Sequence, residues 1–310
     1  MAFFKNKHHS DLSIGVLTLA LLAGISLPEL LAPLQIWSTI LLQIIFFLTS
    51  LRIELRGLWQ EFRDVRAIVV VTCFMLVILP LLAYVSMRPL GEDLALALFL
   101  LAAMPVGMTT PLLAQLLGLN VSLALVFTLS TSLLLPVTLP LLFGVALPQS
   151  VAIDLSHLFV TLVQVILFPF LLAQIVRRFL PSAIERASAT IKKLGLFSMC
   201  LLMAGIAARY HEELVGRFSL EYLFGLLVLT GFFIIVHVLS YWLLWWRNVS
   251  DRMTVVLSVV YMNFTLAIYI AQQFFPDPEI LLYTILSIIP WNIGMLLFRQ
   301  MLGKQKNSFV

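Results

Sequence analysis

The side chains that could do chemistry in this chain are neutral polar groups inside long apolar runs. The stretch Met104–Pro111 places Gly107, Thr109 and Thr110 between two prolines, halfway along an apolar segment. Proline breaks a helix, and in hydrocarbon such a break survives only against protein or a water-filled cavity. The carbonyl end of the first half-helix can bind cations, and the amide end of the second can bind anions. The pattern predicts a discontinuous membrane helix that binds a ligand, although a hinge without a ligand would look the same.

A second polar stretch, Ser258–Thr265, carries Asn263 and Thr265 at a comparable depth five apolar segments later. Transporters built from inverted repeats place matching interruptions in the two halves of the chain. The stretch contains neither proline nor glycine, so the alternative that both side chains only bond to neighbouring helices stays open. We predict that this segment interrupts a helix and that the two interruptions cross.

A single histidine, His237, lies deep in an apolar segment, where it would be either an interhelical hydrogen-bond partner or a proton carrier. The chain has no His-Glu-x-x-His motif and no phosphate-binding glycine loop, and its two cysteines lack metal-ligand spacing. We therefore expect no enzyme activity, with an intramembrane serine hydrolase as a remote alternative. We also expect no metal site and no cofactor beyond a coupling sodium ion or proton.

Composition places the elements that carry these residues in a lipid bilayer. The chain is 62% hydrophobic and only 11% charged, against roughly a quarter charged in soluble domains. Its net charge of +4 comes from basic residues that lie between apolar runs instead of in a patch, which argues against nucleic-acid binding. A helix needs about 20 apolar residues to cross a bilayer. The runs without Asp, Glu, Lys or Arg are Leu12–Pro28, Leu30–Leu51, Ala67–Met87, Leu94–Ile153, Leu155–Val176, Leu194–Ala208, Tyr222–Trp246, Met253–Pro276 and Ile280–Phe298.

The run Leu94–Ile153 is too long for one crossing, and Gly118-Leu119-Asn120 near its middle supplies the residues of a turn. Splitting it there gives ten predicted spans, of which Leu194–Ala208 is the shortest and weakest. The fold class is therefore predicted as an all-α integral membrane protein with ten transmembrane helices and broken fourth and ninth helices. An even number smaller than ten would need two of the runs to be re-entrant.

Basic residues are distributed unequally between the two sides of this ten-span arrangement. Sixteen of the 19 Lys and Arg residues fall on the side that carries both termini, and only Arg88, Arg209 and Arg217 fall opposite. Cytoplasmic loops collect Lys and Arg, so both termini are predicted to be cytoplasmic in a multi-pass protein of the plasma or inner membrane. The predicted organisation is a cytoplasmic N-terminus 1–11, a first five-helix repeat 12–153, a second repeat 154–302 and a cytoplasmic C-terminus 303–310.

Several of these stretches resemble the bile acid:sodium symporter family over most of the chain. That family has ten spans in two inverted five-span repeats, with broken fourth and ninth helices that cross. Its Pro-Gly-Gly-x-x-Ser-Asn break is similar to Pro105–Pro111, and its small polar residues in the following helix are similar to Asn120–Ser132. Further similar stretches are Pro80–Tyr84, Phe168-Pro169 with Arg177–Pro181, and Trp291-Asn292.

The chain departs from this family at the side chains that build its sodium sites. Thr110-Pro111 replaces the Ser-Asn of the fourth-helix break, and Ala124 replaces a serine one turn before Thr128. The family's Glu-x-x-x-Gln of the ninth helix corresponds to Val259 and Asn263, and the glutamine of its third helix to Met75. The resemblance therefore implies the family fold with an eroded cation site, and sodium coupling is expected to be weak or absent.

The function expected from these features is secondary transport of a small organic anion by alternating access. Its alternative is an uncoupled pore or uniporter, or a membrane sensor that retains the fold. The expected partners are the solute and the lipid bilayer, with no obligate protein partner. The predicted binding residues are Thr109, Thr110, Thr128, Asn263, Thr265 and Asn292, and His237 is the possible proton carrier.

Overall fold

The computed structural model describes residues 19–53, 64–147, 153–216 and 220–307. Every regular element within these ranges is helical, and one isolated antiparallel bridge is the only strand-like pairing that they contain. The described part of the chain therefore has the all-α character that the sequence predicts. The predicted N-terminal segment 1–11 lies outside the described residues.

Within the described ranges, seven helical segments are long and apolar enough to cross a bilayer, which supports a multi-pass membrane protein. They correspond to the second, third, fifth, sixth, seventh, eighth and tenth of the ten spans predicted from the sequence. The first predicted span falls largely outside the described residues, and the fourth and ninth are each divided into two shorter helices. Ten spans in two inverted repeats remain a prediction. The seven segments are Pro28–Ser50, Val65–Leu90, Val121–Ala146, Leu155–Phe179, Ser188–Arg209, Leu220–Leu243 and Pro278–Leu302.

The helices are numbered in chain order, starting with α1 at residues 19–26. A helical turn at Pro28–Leu31 and a 3-10 helix at Ala32–Trp37 precede α2, and π-helical turns at Phe74–Ile78 and Val163–Leu167 join α3 to α4 and α8 to α9. The remaining bounds are α2 Ser38–Ser50, α3 Val65–Cys73, α4 Leu79–Met87, α5 Glu92–Ala102, α6 Thr110–Leu117, α7 Val121–Ala146, α8 Leu155–Leu162, α9 Phe168–Phe179, α10 Pro181–Arg186, α11 Ser188–Arg209, α12 His211–Gly216, α13 Leu220–Leu243, α14 Val249–Val260, α15 Phe264–Phe274, α16 Pro278–Leu286 and α17 Ile288–Asn307.

The chain divides into two compact units that each draw segments from both halves of the sequence. The first, here called the outer-segment unit, comprises Met1–Arg56, Ser132–Phe218 and Thr265–Pro278. The second, here called the break unit because it contains both interruptions, comprises Gly57–Thr131, Ser219–Phe264 and Glu279–Val310.

Close helix packing in the outer-segment unit depends on small residues. A Cβ added at Gly24 of α1 would lie 2.4 Å from the carbonyl oxygen of Ala204 in α11. A Cβ added at Gly205 would lie 2.9 Å from Cβ of Leu34. Small residues let helix backbones approach closely in membranes, where packing and not hydrophobic burial drives helix association.

The long run Leu94–Ile153 is divided where the sequence predicts. Helix α6 ends at Gly118, whose φ of 67° is left-handed, and the Leu119 N–H donates to Ala114 O at 2.8 Å. The Asn120 side chain then caps α7 by accepting from the Leu123 N–H at 3.0 Å. Glycine tolerates this left-handed conformation and asparagine is a preferred N-cap, so the local sequence suffices to place the turn.

The seventh predicted span is longer than its charge-free run. The charge-free run Leu194–Ala208 predicts a short and weak span, whereas α11 runs from Ser188 to Arg209 and includes Lys192 and Lys193 in its first two turns. The length predicted for this span is therefore wrong. Lysines near a helix end extend their charged ammonium groups toward the membrane surface. A span prediction that stops at the first charged residue therefore makes the helix too short.

Candidate functional site

The first interruption separates α5 from α6 within the break unit. Helix α5 ends at Ala102 and α6 begins at Thr110. Between them, the backbone from Ala103 to Gly107 is buried, and Pro105 has no N–H to contribute to a helix. The structure confirms that the helix predicted across Met104–Pro111 is discontinuous.

The second interruption separates α14 from α15. Helix α14 ends at Val260, and Tyr261 leaves the helical conformation with φ −95° and ψ 58°. The Phe264 N–H donates to Met262 O at 2.9 Å, a tight turn that starts the next helix. The prediction that this stretch interrupts a helix is confirmed, although it contains no residue that breaks helices by itself.

The two interruptions pair with each other as short antiparallel strands. Val106 and Met262 form an antiparallel bridge. The Gly107 N–H donates to Tyr261 O at 3.1 Å, and the Asn263 N–H donates to Pro105 O at 2.8 Å. Each unpaired backbone group costs several kcal/mol in hydrocarbon, so this mutual pairing is what allows two helices to be broken inside the protein. The prediction that the interruptions cross is therefore confirmed.

Gly107 is needed at the crossing because of how closely the two backbones approach. A Cβ added at this position would lie 2.5 Å from Tyr261 O and 3.2 Å from Met262 O. Its φ is not positive, so other residues could adopt this backbone conformation. Glycine is required here because no space is left for a Cβ atom. The sequence identified this glycine only as a helix breaker, while the structure shows that it is also a point of contact.

Thr110 and Thr131 add side-chain hydrogen bonds to the crossing. The fully buried Thr110 hydroxyl donates to Tyr261 O at 3.3 Å. The buried Thr131 hydroxyl accepts from the Val106 N–H at 3.1 Å and donates to Phe127 O of its own helix at 2.7 Å. Thr131 was not among the predicted residues. Its only signal in the sequence is its place in the run of small polar residues from Ser130 to Ser132.

The other predicted residues lie in different surroundings. Thr109 is the exposed N-cap residue of α6, and its side chain makes no cap hydrogen bond. Thr128 is buried, and its hydroxyl bonds to Ala124 O in its own helix at 2.8 Å. Asn263 is buried at the crossing, and Thr265 is buried in α15 but belongs to the outer-segment unit. Thr110 and Asn263 are thus the predicted residues that the paired segments bring together.

Aromatic rings cluster around Tyr261. The Tyr261 ring lies 5.5 Å from that of Trp291, which itself lies 5.6 Å from the Phe264 ring. Next to Trp291 on α17 is the predicted residue Asn292, whose buried Oδ1 has no hydrogen-bond partner among the described residues. Tyr261 is therefore a further residue of the site, which sequence reasoning missed because an aromatic residue in an apolar run gives no distinct signal.

His237 is connected to the crossing through Tyr261. Its Nδ1 lies 2.7 Å from Phe233 O, and its Nε2 lies 3.2 Å from the Tyr261 hydroxyl. A carbonyl oxygen only accepts, so the hydrogen-bond geometry assigns the proton to Nδ1 and leaves Nε2 as the acceptor of the tyrosine O–H. A second proton on Nε2 would reverse the direction of this hydrogen bond, so that His237 would donate to the tyrosine oxygen.

A buried acid fixes the ends of α7 and α14 to each other. Asp251 is 4% exposed and accepts from Asn120 Nδ2 and from Asn248 Nδ2, both at 2.9 Å. It also forms an ion pair with Arg247 at 3.0 Å. Asn248 caps α14 as Asn120 caps α7. This cluster holds the turn after the first interruption against the helix that leads to the second.

The chemistry of the crossing is that of neutral donors and acceptors. Within the described residues, no group of three or more His, Cys, Asp or Glu side chains could hold a metal ion. The position that the resemblance assigns to a carboxylate is Val259, which is fully buried. The polar groups of the paired segments include backbone carbonyls, the Thr110 and Tyr261 hydroxyls and the Asn263 amide.

Comparison with known protein families finds a match over almost the whole chain. The sequence profile of the SBF-like CPA transporter family matches residues 12–306. A relative described as the uncharacterized sodium-dependent transporter YocS of Bacillus subtilis (strain 168) is 24% identical over 204 residues, which is 65% of this chain. The alignment covers 63% of that relative, so the chain matches less than two thirds of its length.

Proposed function

The chain belongs to the SBF-like CPA transporter family, and on that premise we propose that it is a secondary transporter that moves a small organic anion by alternating access. The family membership confirms the resemblance to bile acid:sodium symporters and indicates a transporter instead of an enzyme. The solute and the transport cycle are the proposed part.

The observation that carries the proposal is the paired crossing of two interrupted helices. The bond from Asn263 N to Pro105 O and the bond from Gly107 N to Tyr261 O join the two interrupted segments at one place. Transporters use such crossings to present carbonyl ends and amide ends of half-helices to a ligand near the bilayer midplane. A pore or a sensor has no need of this arrangement.

The preference for an anion follows from the groups present at the crossing. Helix N-termini carry a partial positive charge and unpaired N–H groups, which receive carboxylates and similar anions without a basic side chain. The N-terminus of α6 carries the exposed Thr109 and the buried Thr110. The Thr110 N–H already donates to Gly107 O at 2.9 Å, and Pro111 has no N–H. The Leu112 N–H and the Thr109 hydroxyl are therefore the donors that we expect a carboxylate or sulfonate to use.

Two compact units support a cycle in which one unit moves against the other. Each unit draws on both halves of the sequence, as expected if two sequence repeats contribute equivalent helices to a mobile part and a static part. We propose that the break unit is the mobile part, in a ten-span fold of two inverted repeats in the plasma or inner membrane with both termini cytoplasmic.

Sodium coupling is proposed to be weak, because several side chains that the resemblance assigns to sodium binding are replaced in this chain. Burying an uncompensated cation costs several kcal/mol, and the fully buried Val259 supplies no charge where the resemblance implies a carboxylate. The relative from Bacillus subtilis is named as sodium-dependent, but this chain departs from the bile acid:sodium symporter pattern at the sodium ligands. Proton coupling through His237, or uniport, is the proposed alternative.

Flux measurements in proteoliposomes test the proposal. Saturable uptake of labelled organic acids, with counterflow on preloading, is expected of the wild-type protein. Thr110→Val and Asn263→Leu are expected to abolish uptake while the protein stays folded and inserted. Thr230→Val is the matched control, because this exposed hydroxyl bonds only to Leu226 O in its own helix at 2.7 Å. Non-saturable flux without counterflow, or unimpaired uptake in both site variants, would contradict the proposal.

A further inference from the structure

One end of α13 carries a cluster of aromatic residues at a predicted membrane boundary. The candidate span Leu220–Leu243 ends here, and the span Val65–Leu90 begins beside it. Trp242 and Trp245 are 60% and 67% exposed. Trp and Tyr side chains are enriched at the level of lipid headgroups, because their rings have an apolar body and a polar edge. This end of the break unit therefore has the composition of a lipid headgroup region.

Two arginines lie on the faces of these aromatic rings. The Arg66 guanidinium carbon lies 4.1 Å from the centre of the Trp246 ring. The Arg252 guanidinium carbon lies 3.8 Å from the Tyr241 ring centre and 4.6 Å from that of Trp242. Stacking on a ring orients a guanidinium but leaves its in-plane N–H donors available to an acceptor.

The nearby acidic groups are already engaged by a third arginine. Arg247 forms ion pairs with Asp64 at 3.2 Å and with Asp251 at 3.0 Å. Neither Arg66 nor Arg252 forms an ion pair with an acidic side chain among the described residues. The stacked guanidiniums therefore keep their positive charge uncompensated within the described part of the chain.

Arg252 also has an unused donor. Its Nε donates to Tyr241 O at 3.0 Å, whereas its Nη2 is buried and has no hydrogen-bond partner in the part of the chain that the structure describes. A buried donor without an acceptor is unfavourable, and a charged donor more so. An anionic oxygen that reached this guanidinium would remove that cost.

We propose that this end of α13 binds the phosphate of an anionic phospholipid through Arg66 and Arg252. Guanidinium groups bind phosphate oxygens with paired, charge-assisted hydrogen bonds. The exposed rings of Trp242 and Trp245 would contact the glycerol and upper acyl region of the same lipid, as their amphipathic character favours. A zwitterionic lipid would bind less well, because its own cationic group offsets the phosphate charge. This inference does not depend on the proposed transport activity.

Native mass spectrometry of the detergent-solubilised protein with equal amounts of phosphatidylglycerol and phosphatidylcholine tests the inference. The wild-type protein is expected to retain phosphatidylglycerol preferentially. Each guanidinium near the membrane surface contributes about fivefold to the binding of an anionic lipid, so the double variant Arg66→Gln, Arg252→Gln should lower that preference about 25-fold. Arg178→Gln is the matched control, because Arg178 is an exposed arginine at the end of α9.

Replacing the packed Arg252 could destabilise the protein and lower lipid binding for that reason alone. The exposed Arg66 is therefore also replaced by itself. Arg66→Gln by itself should reduce the lipid preference about fivefold while the thermal midpoint stays unchanged. Equal retention of both lipids by the wild-type protein, or an equal loss in Arg178→Gln, would overturn the proposal. Competition by inorganic phosphate at lipid-like concentrations would also overturn it, since the site would then bind a free anion instead of a lipid.

Discussion

Replacing Gly107 with alanine tests whether the pairing of the two interruptions is required. The added Cβ would lie 2.5 Å from Tyr261 O, whereas ordinary contact begins at 3.4 Å, so the two segments must separate by about 0.9 Å. The hydrogen bond from Gly107 N to Tyr261 O, now 3.1 Å, would lengthen to roughly 4 Å, which is beyond hydrogen-bond range. The adjacent bond from Asn263 N to Pro105 O would lengthen from 2.8 Å as well.

The expected cost follows from the number of backbone groups that lose their partners. A hydrogen bond contributes about 1 kcal/mol net, and each buried group left unsatisfied costs about 1–3 kcal/mol. With one or two bonds broken, Gly107→Ala should lower the free energy of unfolding by roughly 2–5 kcal/mol. The residue has no left-handed φ, so alanine adds no backbone strain and only the contact is tested.

Two measurements check this expectation in the same preparation. The thermal midpoint followed by tryptophan fluorescence in detergent should fall by several degrees, and solute flux in proteoliposomes should be lost. Gly231→Ala is the matched control, because a Cβ at this position of α13 meets nothing within 4 Å. Inside a helix, that substitution should be neutral or stabilise by up to about 1 kcal/mol.

The reasoning would be refuted by a Gly107→Ala protein whose thermal midpoint and flux both match the wild type. That result would mean that the two segments separate at no cost, and that the backbone bonds across them contribute nothing to the folded protein. A lower thermal midpoint with unchanged flux would separate the structural role of the crossing from its role in transport.

Four further predictions concern the support of the crossing, the coupling of transport and the orientation in the membrane. Thr131→Val removes the acceptor of the Val106 N–H and should lower the free energy of unfolding by about 1–3 kcal/mol in chemical denaturation, whereas Thr138→Val, which loses only a bond within its own helix, should change it little. Asp251→Ala leaves the side-chain amides of Asn120 and Asn248 without their acceptor, while Arg247 keeps its ion pair with Asp64, and should cost about 2–5 kcal/mol, measured as a large fall of the thermal midpoint. Uptake driven by an inward sodium gradient should exceed uptake in potassium by less than about tenfold at fixed pH and voltage, because the site lacks a carboxylate, and a greater stimulation would show that neutral ligands suffice. A cysteine placed at the exposed Ser182 should resist an impermeant reagent applied outside intact cells, and its labelling would show that the predicted topology is inverted.

The sequence alone predicted the membrane class, the first interruption and the turn between α6 and α7. Each of these rests on a local property: apolar length for a span, Pro105 and Gly107 for the break, and Gly118 with Asn120 for the turn. The first interruption could be predicted because proline cannot continue a helix wherever it is placed. The role of Thr110 and Asn263 at the crossing followed from their depth in the apolar runs.

Only the tertiary structure decided how the second interruption is held, and which groups complete the site. Ser258–Thr265 contains no helix breaker, and its helix opens where the backbone of Tyr261 and Asn263 pairs with the first interruption. Thr131 and Tyr261 could not be identified from the sequence. A threonine in an apolar run usually hydrogen-bonds to a carbonyl of its own helix, and a tyrosine usually packs against neighbouring side chains. The Thr131 hydroxyl bonds to Val106, 25 residues away in sequence, and the Tyr261 hydroxyl bonds to His237, 24 residues away. A bond between such distant residues depends on how the helices pack, whereas a proline or glycine acts on its own segment of the backbone.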